Sequence, residues 1–151
     1  SGITINSEEV SSADINLEGG LGLWDDLVIR KAEGELDYAM CANSTNALGC
    51  LAASESAGRT DYKVFGIDDE ADQLAALTKE NGIYYATVAQ NPFEIGVRVM
   101  EAAVHAVEGQ DDGIVKVDGI LVTRDTVQEY VANREKALEE LKDYLAIITA
   151  S

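Results

Sequence analysis

Basic residues are scarce. Eleven Lys and Arg face 28 Asp and Glu, a net charge of −17. A field of that sign repels phosphate backbones and anionic lipid, so the chain is expected to bind neither nucleic acid nor a membrane surface. The plain use of such acidity is solubility. Long apolar runs are missing too: nothing approaches the roughly 18 consecutive residues of a membrane-spanning helix. No basic-then-apolar leader opens the sequence, and a mature secreted protein would read the same way.

Cysteine is nearly absent. Cys41 and Cys50 stand nine positions apart, which is neither the spacing of a CxxC redox pair nor that of a zinc half-site, so two buried free thiols are expected. Histidine occurs once. His105 falls among Val, Ala and Glu of a helical stretch, with no partner nearby in sequence, and is expected on the helix surface or at the core edge. The nucleophile elbow GxSxG, the P-loop, HExxH and a GxGxxG after a strand are all missing. The chain is therefore read as a binder rather than an enzyme, and nothing in it calls for a cofactor. The single Trp, Trp24, lies at helical spacing with Leu21 and Leu27 and is assigned to the core.

The 151 residues suffice for one domain with a real core. Short apolar runs alternate with helical ones. Residues 3–7 alternate as a strand, and 18–32 carry Leu21, Trp24, Leu27 and Val28 at helical period. Residues 38–42 form a short strand, and 45–57 a helix that stops at Gly58. Strands are expected at 62–67 and 83–89, the latter rich in aromatic and β-branched residues, with a helix between them closed by Asn81-Gly82. Pro92 stands where a first-turn proline belongs, on a helix running to Glu108. After a polar turn at 110–113, residues 114–123 are extended with a break at Gly119. Residues 124–148 form a long amphipathic helix with Val127, Tyr130, Val131, Leu138, Leu141 and Leu145. Strands alternating with helices imply a three-layer α/β/α arrangement about a mainly parallel sheet, with right-handed crossovers. The composition shift near 110–113 divides a lobe, residues 1–112, from a hinge-type strand and closing helix, 113–151.

Ligands of open parallel sheets sit beyond the carboxyl ends of the strands, and every loop there is polar. Asn43-Ser44-Thr45-Asn46, Asp68-Asp69 and Gln90-Asn91-Pro92 follow three strands. Glu8, Glu9, Asp14 and Asn16 follow the first. Amides and carboxylates converging on one edge suit a polyhydroxylated ligand, whose hydroxyls both donate and accept. The same residue types also cap helices: Ser44 or Thr45, Asp68 or Asp69, and Asn91 would each serve. Asp14, Asn16, Glu18 and Asp25 resemble a calcium loop, but Glu18 and Asp25 fit its pattern poorly, and a polar strand-to-helix loop is the preferred reading. The acidic run Asp68, Asp69, Glu70 and Asp72 could hold magnesium. Acids also favour a helix N-terminus, and that structural reading leads for all but Asp68.

The segments MCANSTNALGCLAASESAG, YKVFGIDD and YYATVAQNPFEIG, in this order, resemble the C-terminal lobe of ribose-binding-like periplasmic solute-binding proteins of ABC transporters. The likeness extends weakly to SSADINLEGGLGLWDD upstream and GILVTRDTVQEY downstream. It implies a Rossmann-like lobe in which Asn43, Asp68 and Gln90 hydrogen-bond sugar hydroxyls; the polar strand-end loops add Asp14 and Ser44 as candidate ligand-binding residues. Ser44 stands where an Asp is common, and Ile15 and Leu17 where ribose binders carry an aromatic and an Arg, which argues against ribose itself. The resemblance further implies an N-terminal lobe bearing the other half of the site, a membrane permease as partner, and a periplasmic or, in a Gram-positive cell, membrane-anchored extracellular setting. The same lobe serves as the effector-binding domain of sugar-responsive repressors and of membrane sensors, and VAQNP and LVTRDTV favour the transport receptor. A receiver domain ranks last, because the Gln90-Asn91-Pro92 loop lacks the Lys it needs. Without the partner lobe, the apolar stripe of the last helix or the exposed hinge face is expected to drive formation of a homodimer.

Overall fold

The computed structural model describes residues 7–11, 14 and 16–149, the side chains of 143–149 excepted. The strand expected at 3–7 lies, but for Ser7, outside the described residues, as do Ile15 and the side chain of Leu145. The elements are α1 (Leu17–Arg30), β1 (Tyr38–Met40), α2 (Ser44–Ser56), β2 (Lys63–Ile67), α3 (Ala71–Thr78), β3 (Tyr84–Ala89), α4 (Pro92–Val107), β4 (Ile120–Thr123) and α5 (Val127–Thr149). The strands lie in the order β1-β2-β3-β4. The first three are parallel, as helical crossovers require, and β4 closes the edge antiparallel to β3. Gly58, at φ +67, follows α2, and Gly109, at φ +80, follows α4, both in the left-handed conformation that ends helices.

One core forms on one face of the sheet. Ala39, Val64, Tyr84, Ala89 and Val122 of the strands meet Trp24, Leu27 and Val28 of α1, Ala47, Cys50 and Ala53 of α2, Leu74 and Leu77 of α3, and Val127 of α5. Trp24 is thus a core residue, as its spacing implies. Cys41 and Cys50 are both buried and free. A hydrogen bond to Cys50, and then burial, push the Cys41 thiol far above its usual range, so it is inert as a nucleophile. His105, for which the sequence offered no partner, binds Asp112 through Nδ1 at 2.8 Å across the turn after α4.

Helices α1 and α2 touch backbone to backbone. A Cβ on Gly49 would lie 2.7 Å from Gly20 C and Leu21 N, atoms that cannot move aside. Gly49→Ala is therefore expected to destabilise by about 2–3 kcal/mol, lowering the melting temperature by about 5–10 °C for a chain of this size. Gly22→Ala, with nothing within 4 Å, should hold or raise it, since alanine favours a helix interior. Thermal melts followed by circular dichroism check the pair.

Beyond the core, Arg59 ties distant segments together. Its guanidinium donates to Val28 O (3.1 Å), Lys31 O (2.7 Å) and Ala32 O (3.1 Å), and pairs with Asp61 at 2.6 Å. It thereby satisfies carbonyls at the carboxyl end of α1 that the helix itself leaves unpaired. At the opposite end of the fold, Asp69 accepts from Tyr130 Oη at 2.7 Å and pairs with Arg134 at 3.2 Å, docking α5 onto the loop after β2. Burial and the Asp69 carboxylate push the Tyr130 phenol up to about 12.

The α/β class and mainly parallel sheet are as expected, but the second helical layer is not closed. Strand side chains alternate between faces. The face away from the core exposes Tyr38, Met40, Ile67, Tyr85, Val88 and Leu121. Among the described residues no side chain of α4 is buried. The extended stretch expected at 114–123 is likewise shorter, regular only over Ile120–Thr123.

Candidate functional site

Because β1, β2 and β3 are parallel and adjacent, their carboxyl ends share one edge, and the loops leaving them meet there. The backbone turns at Asp68 into the left-handed region, φ +82, a conformation that costs a non-glycine residue about 1 kcal/mol. Five hydrogen bonds hold it. Asp68 N donates to Val88 O at 3.0 Å, and Thr87 Oγ1 donates to Asp68 O at 2.7 Å. Ser44 N donates to Asp68 Oδ2 at 3.0 Å, and Gln90 Nε2 donates to Asp68 Oδ1. Asp68 O is thus fixed from β3 while the carboxylate bridges the loops after β1 and β3. The fifth bond acts one residue earlier, where Gln73 Nε2 donates to Ile67 O at 2.8 Å.

Asn43 is the cap of α2. Its Oδ1 accepts from Asn46 N and from Thr45 Oγ1, each at 2.9 Å, which leaves the amide Nδ2 as the group it can offer outward. The capping roles expected of Ser44, Thr45 and Asn91 are corrected. Asn43 caps α2, and Asn91, at φ +53, begins α4 without a side-chain cap bond. Nor does Asp68 or Asp69 cap α3, whose cap position is Glu70 with no side-chain bond. Asn43 and Asp68 are half-buried, Ser44 is buried and Gln90 is exposed. The edge thus offers a carboxylate acceptor and two side-chain amides, all within one bridged set of loops. Hydroxyl-rich ligands need that mixture of donors and acceptors.

Comparison with known proteins shows the family. Residues 1–111 match the periplasmic binding protein domain family. The chain belongs to that family. Among curated periplasmic binding proteins, the ribose import binding protein of Salmonella typhimurium is 32% identical over 98 residues, 65% of this chain and 32% of that protein. The chain thus spans about a third of the length of the curated relatives it matches. Among solved structures, an ABC transporter solute-binding protein of Agrobacterium vitis with bound allitol superposes with a TM-score of 0.75 at 21% identity, covering 85% of this chain and 45% of that one. One from Bacillus halodurans C-125 with bound myo-inositol superposes at 0.66 with 30% identity, covering 80% and 41%.

Of the residues singled out from sequence, Asn43, Ser44, Asp68 and Gln90 come together. Asp14 is exposed and stands two residues ahead of Asn16. Asn16 caps α1, its Oδ1 accepting from Gly19 N at 2.8 Å. Glu18 and Asp25 lie within that helix, whose regular backbone does not bend them round a shared ion with Asp14 and Asn16; of the strand-to-helix loop expected here, the helix is present and the strand lies outside the described residues. Of the acidic run after β2, Asp69 is committed to Tyr130 and Arg134 and not to the edge. An apolar groove of about 610 Å³ between α3 and α5, lined by Leu74, Ala75, Val127, Val131 and Leu138, holds none of the candidate residues.

The sequence reading missed the support beneath the site. Gln73 is fully buried. Besides Ile67 O, its Nε2 reaches Tyr84 Oη at 2.5 Å and Thr87 Oγ1 at 3.2 Å, so one amide braces the residue before Asp68 and the hydroxyl that holds Asp68 O. Gly66 makes room for it, since a Cβ there would stand 2.8 Å from Gln73 Nε2. The available signal was a polar residue four before Leu77, on the inward face of α3. Gln73→Met keeps the volume but takes this donor from Ile67 O, from Thr87 Oγ1 and from the buried Tyr84 hydroxyl, and is expected to cost about 1–3 kcal/mol and to weaken ligand binding with it. Melts and a ligand titration of the variant check both effects.

Proposed function

We propose that this chain is the sugar-binding lobe of a substrate-binding protein that serves an ABC transporter outside the cytoplasm. In this reading it grips a small sugar or polyol and chemically alters nothing. The bridge of Ser44, Asp68 and Gln90 across three parallel strand ends carries the proposal. It presents a carboxylate fixed in position, and a carboxylate accepts hydrogen bonds from adjacent hydroxyls more strongly than a neutral group does. Asn43 Nδ2 and the Gln90 amide supply donors and a further acceptor for the same ligand. Relatives described with bound allitol and myo-inositol support a polyol or cyclitol, and the residues at Ile15 and Leu17 speak against ribose.

In this reading a second lobe closes over the strand-end edge, and the closed form docks on a membrane permease. The antiparallel β4, entering the sheet from the opposite direction, suits the path by which residues 113–151 would connect the lobes. The half-site alone forgoes the contacts and water exclusion of closure, so its affinity is expected to be weak. Melting curves with ribose, arabinose, allose, allitol, myo-inositol and glucose test the reading, because a ligand that binds only the folded chain must raise its melting temperature. A rise with one or more of them is expected. No rise with any, here and with a second lobe attached, would refute it.

A further inference from the structure

The carboxylate of Asp68 rests on a line of buried polar groups. Gln73, Tyr84 and Thr87 are each exposed by 1% or less, so their partners come from within this lobe. Counting hydrogens gives the line a direction. Thr87 has one hydroxyl hydrogen, and Asp68 O takes it at 2.7 Å. Toward its other neighbours Thr87 Oγ1 can therefore only accept. Gln73 Nε2 has two hydrogens. Ile67 O lies 2.8 Å from it and Tyr84 Oη 2.5 Å, while Thr87 Oγ1, at 3.2 Å, is the farthest of its three neighbours. Tyr84 Oη is left with its own hydrogen for Thr87, to which it is hydrogen-bonded. Burial raises the Tyr84 phenol against the opposing effect of these hydrogen bonds, so its proton stays on the oxygen. The order runs from Gln73 to Tyr84, from Tyr84 to Thr87, and from Thr87 to the carbonyl of Asp68.

The line is kept at a cost to stability. Gln73 Oε1 is buried with no hydrogen-bond partner among the described residues. Turning the amide over would give that oxygen the Tyr84 hydrogen, but would take the donor from Ile67 O. Asp68 holds its left-handed φ of +82. Gly66 carries no side chain where a Cβ would stand 2.5 Å from Tyr84 Oη. An orphaned buried acceptor and a strained backbone residue persist where a site needs them, and here both belong to the line that ends at Asp68. Its effect on Asp68 is geometric. Asp68 N is tied to Val88 O and Asp68 O to Thr87, so the peptide planes on both sides of its Cα are fixed from β3 and its Cα–Cβ bond has one direction. We propose that Thr87 and Tyr84 are positioning residues of the ligand site: their hydroxyls, aligned by Gln73, aim the Asp68 carboxylate at the ligand. The ligand part rests on the function proposed above, and the positioning part on hydrogen bonds within the lobe.

Ligand-free amide spectra and titrations with myo-inositol and allitol, run on Thr87→Val, Thr87→Ser and Tyr84→Phe, test this. Val keeps the shape and strand preference of Thr without its hydroxyl, and Ser keeps the hydroxyl. In Thr87→Val the amide resonance of Ser44 should move, although Ser44 reaches Asp68 Oδ2 from the far side of β2. Polyol affinity should fall about fivefold with it, the worth of one hydrogen bond. Thr87→Ser should bring both back toward the parent, whatever its melting temperature. Tyr84→Phe should act in the same sense and less strongly, and carries the comparison should Thr87→Val not fold. A Ser44 amide that stays in place in the folded variants, even with a lower melting temperature, would overturn the proposal, since that is the mark of a purely structural role. Equal affinities of Thr87→Val and Thr87→Ser would overturn it as well. A parent chain that binds neither polyol would count against the ligand reading alone, and the Ser44 amide would still decide the positioning.

Discussion

Asp68→Ala should abolish the ligand-dependent rise in melting temperature. The substitution removes the one carboxylate at the proposed site and also releases Ser44 N and Gln90 Nε2, which it holds in place. Hydrogen bonds to a charged group contribute about 1.5–3 kcal/mol each, so a ligand held by one or two of them would bind at least about tenfold more weakly. Asp68→Asn keeps the side-chain shape and one acceptor for Ser44 N, and its loss should be smaller. The fold itself does not depend on this carboxylate, because Asp68 N and O remain anchored to Val88 and Thr87. Both variants should therefore melt cooperatively without ligand, so that a loss of binding can be told from a loss of structure. Titration calorimetry or ligand-observed NMR, run beside the melts, makes the comparison.

The largest loss of stability is expected from Arg59→Ala. The Arg59 and Asp61 side chains are only 10% and 14% exposed, and the arginine also satisfies three carbonyls after and within the last turn of α1. Removing it leaves those acceptors and a shielded carboxylate without their donor, at a cost of about 3 kcal/mol and about 10 °C in melting temperature. The same pair sets an acid limit. The hydrogen bond from Arg59, and then that from Gly34 N, holds the Asp61 carboxyl well below the usual carboxylate range. A pKa depressed in the folded state means that the unfolded chain takes up the proton first. The stabilisation is thus complete above the unfolded value of about 3.9 and drains away as pH falls from there toward the folded value. Asp61→Asn should be less stable than the parent at neutral pH, and the gap should narrow below about pH 4. Urea unfolding at several pH values measures it.

Much of this was legible in the sequence, for reasons that differ from element to element. The runs at Lys63–Ile67 and Tyr84–Ala89 are short, β-rich and flanked by turn residues, so the strands and the polar residues leaving them could be placed from local pattern alone. That placed Asp68 and Gln90 on one edge. What local pattern cannot convey is contact between distant segments. Arg59 reads as one charge after a helix stop, yet its partners include carbonyls 27 to 31 positions away. Gln73 reads as an ordinary helix residue until its amide is seen among Ile67, Tyr84 and Thr87. Asn43 was read as a binding residue and its neighbours as caps, whereas its Oδ1 is the cap of α2. The helix begun by Pro92 was legible as a helix, but which of its side chains are covered is a tertiary property.

The central claim, that a small polyol binds at the shared ends of β1, β2 and β3, is tested most directly by following backbone amide resonances while titrating the chain with myo-inositol, allitol and ribose. The amides of Ser44, Asp68 and Gln90 should move together with a single dissociation constant for at least one polyol, and Asp68→Ala should silence all three. Shifts confined to residues away from these loops, or none with any polyol at high millimolar concentration, would contradict the account.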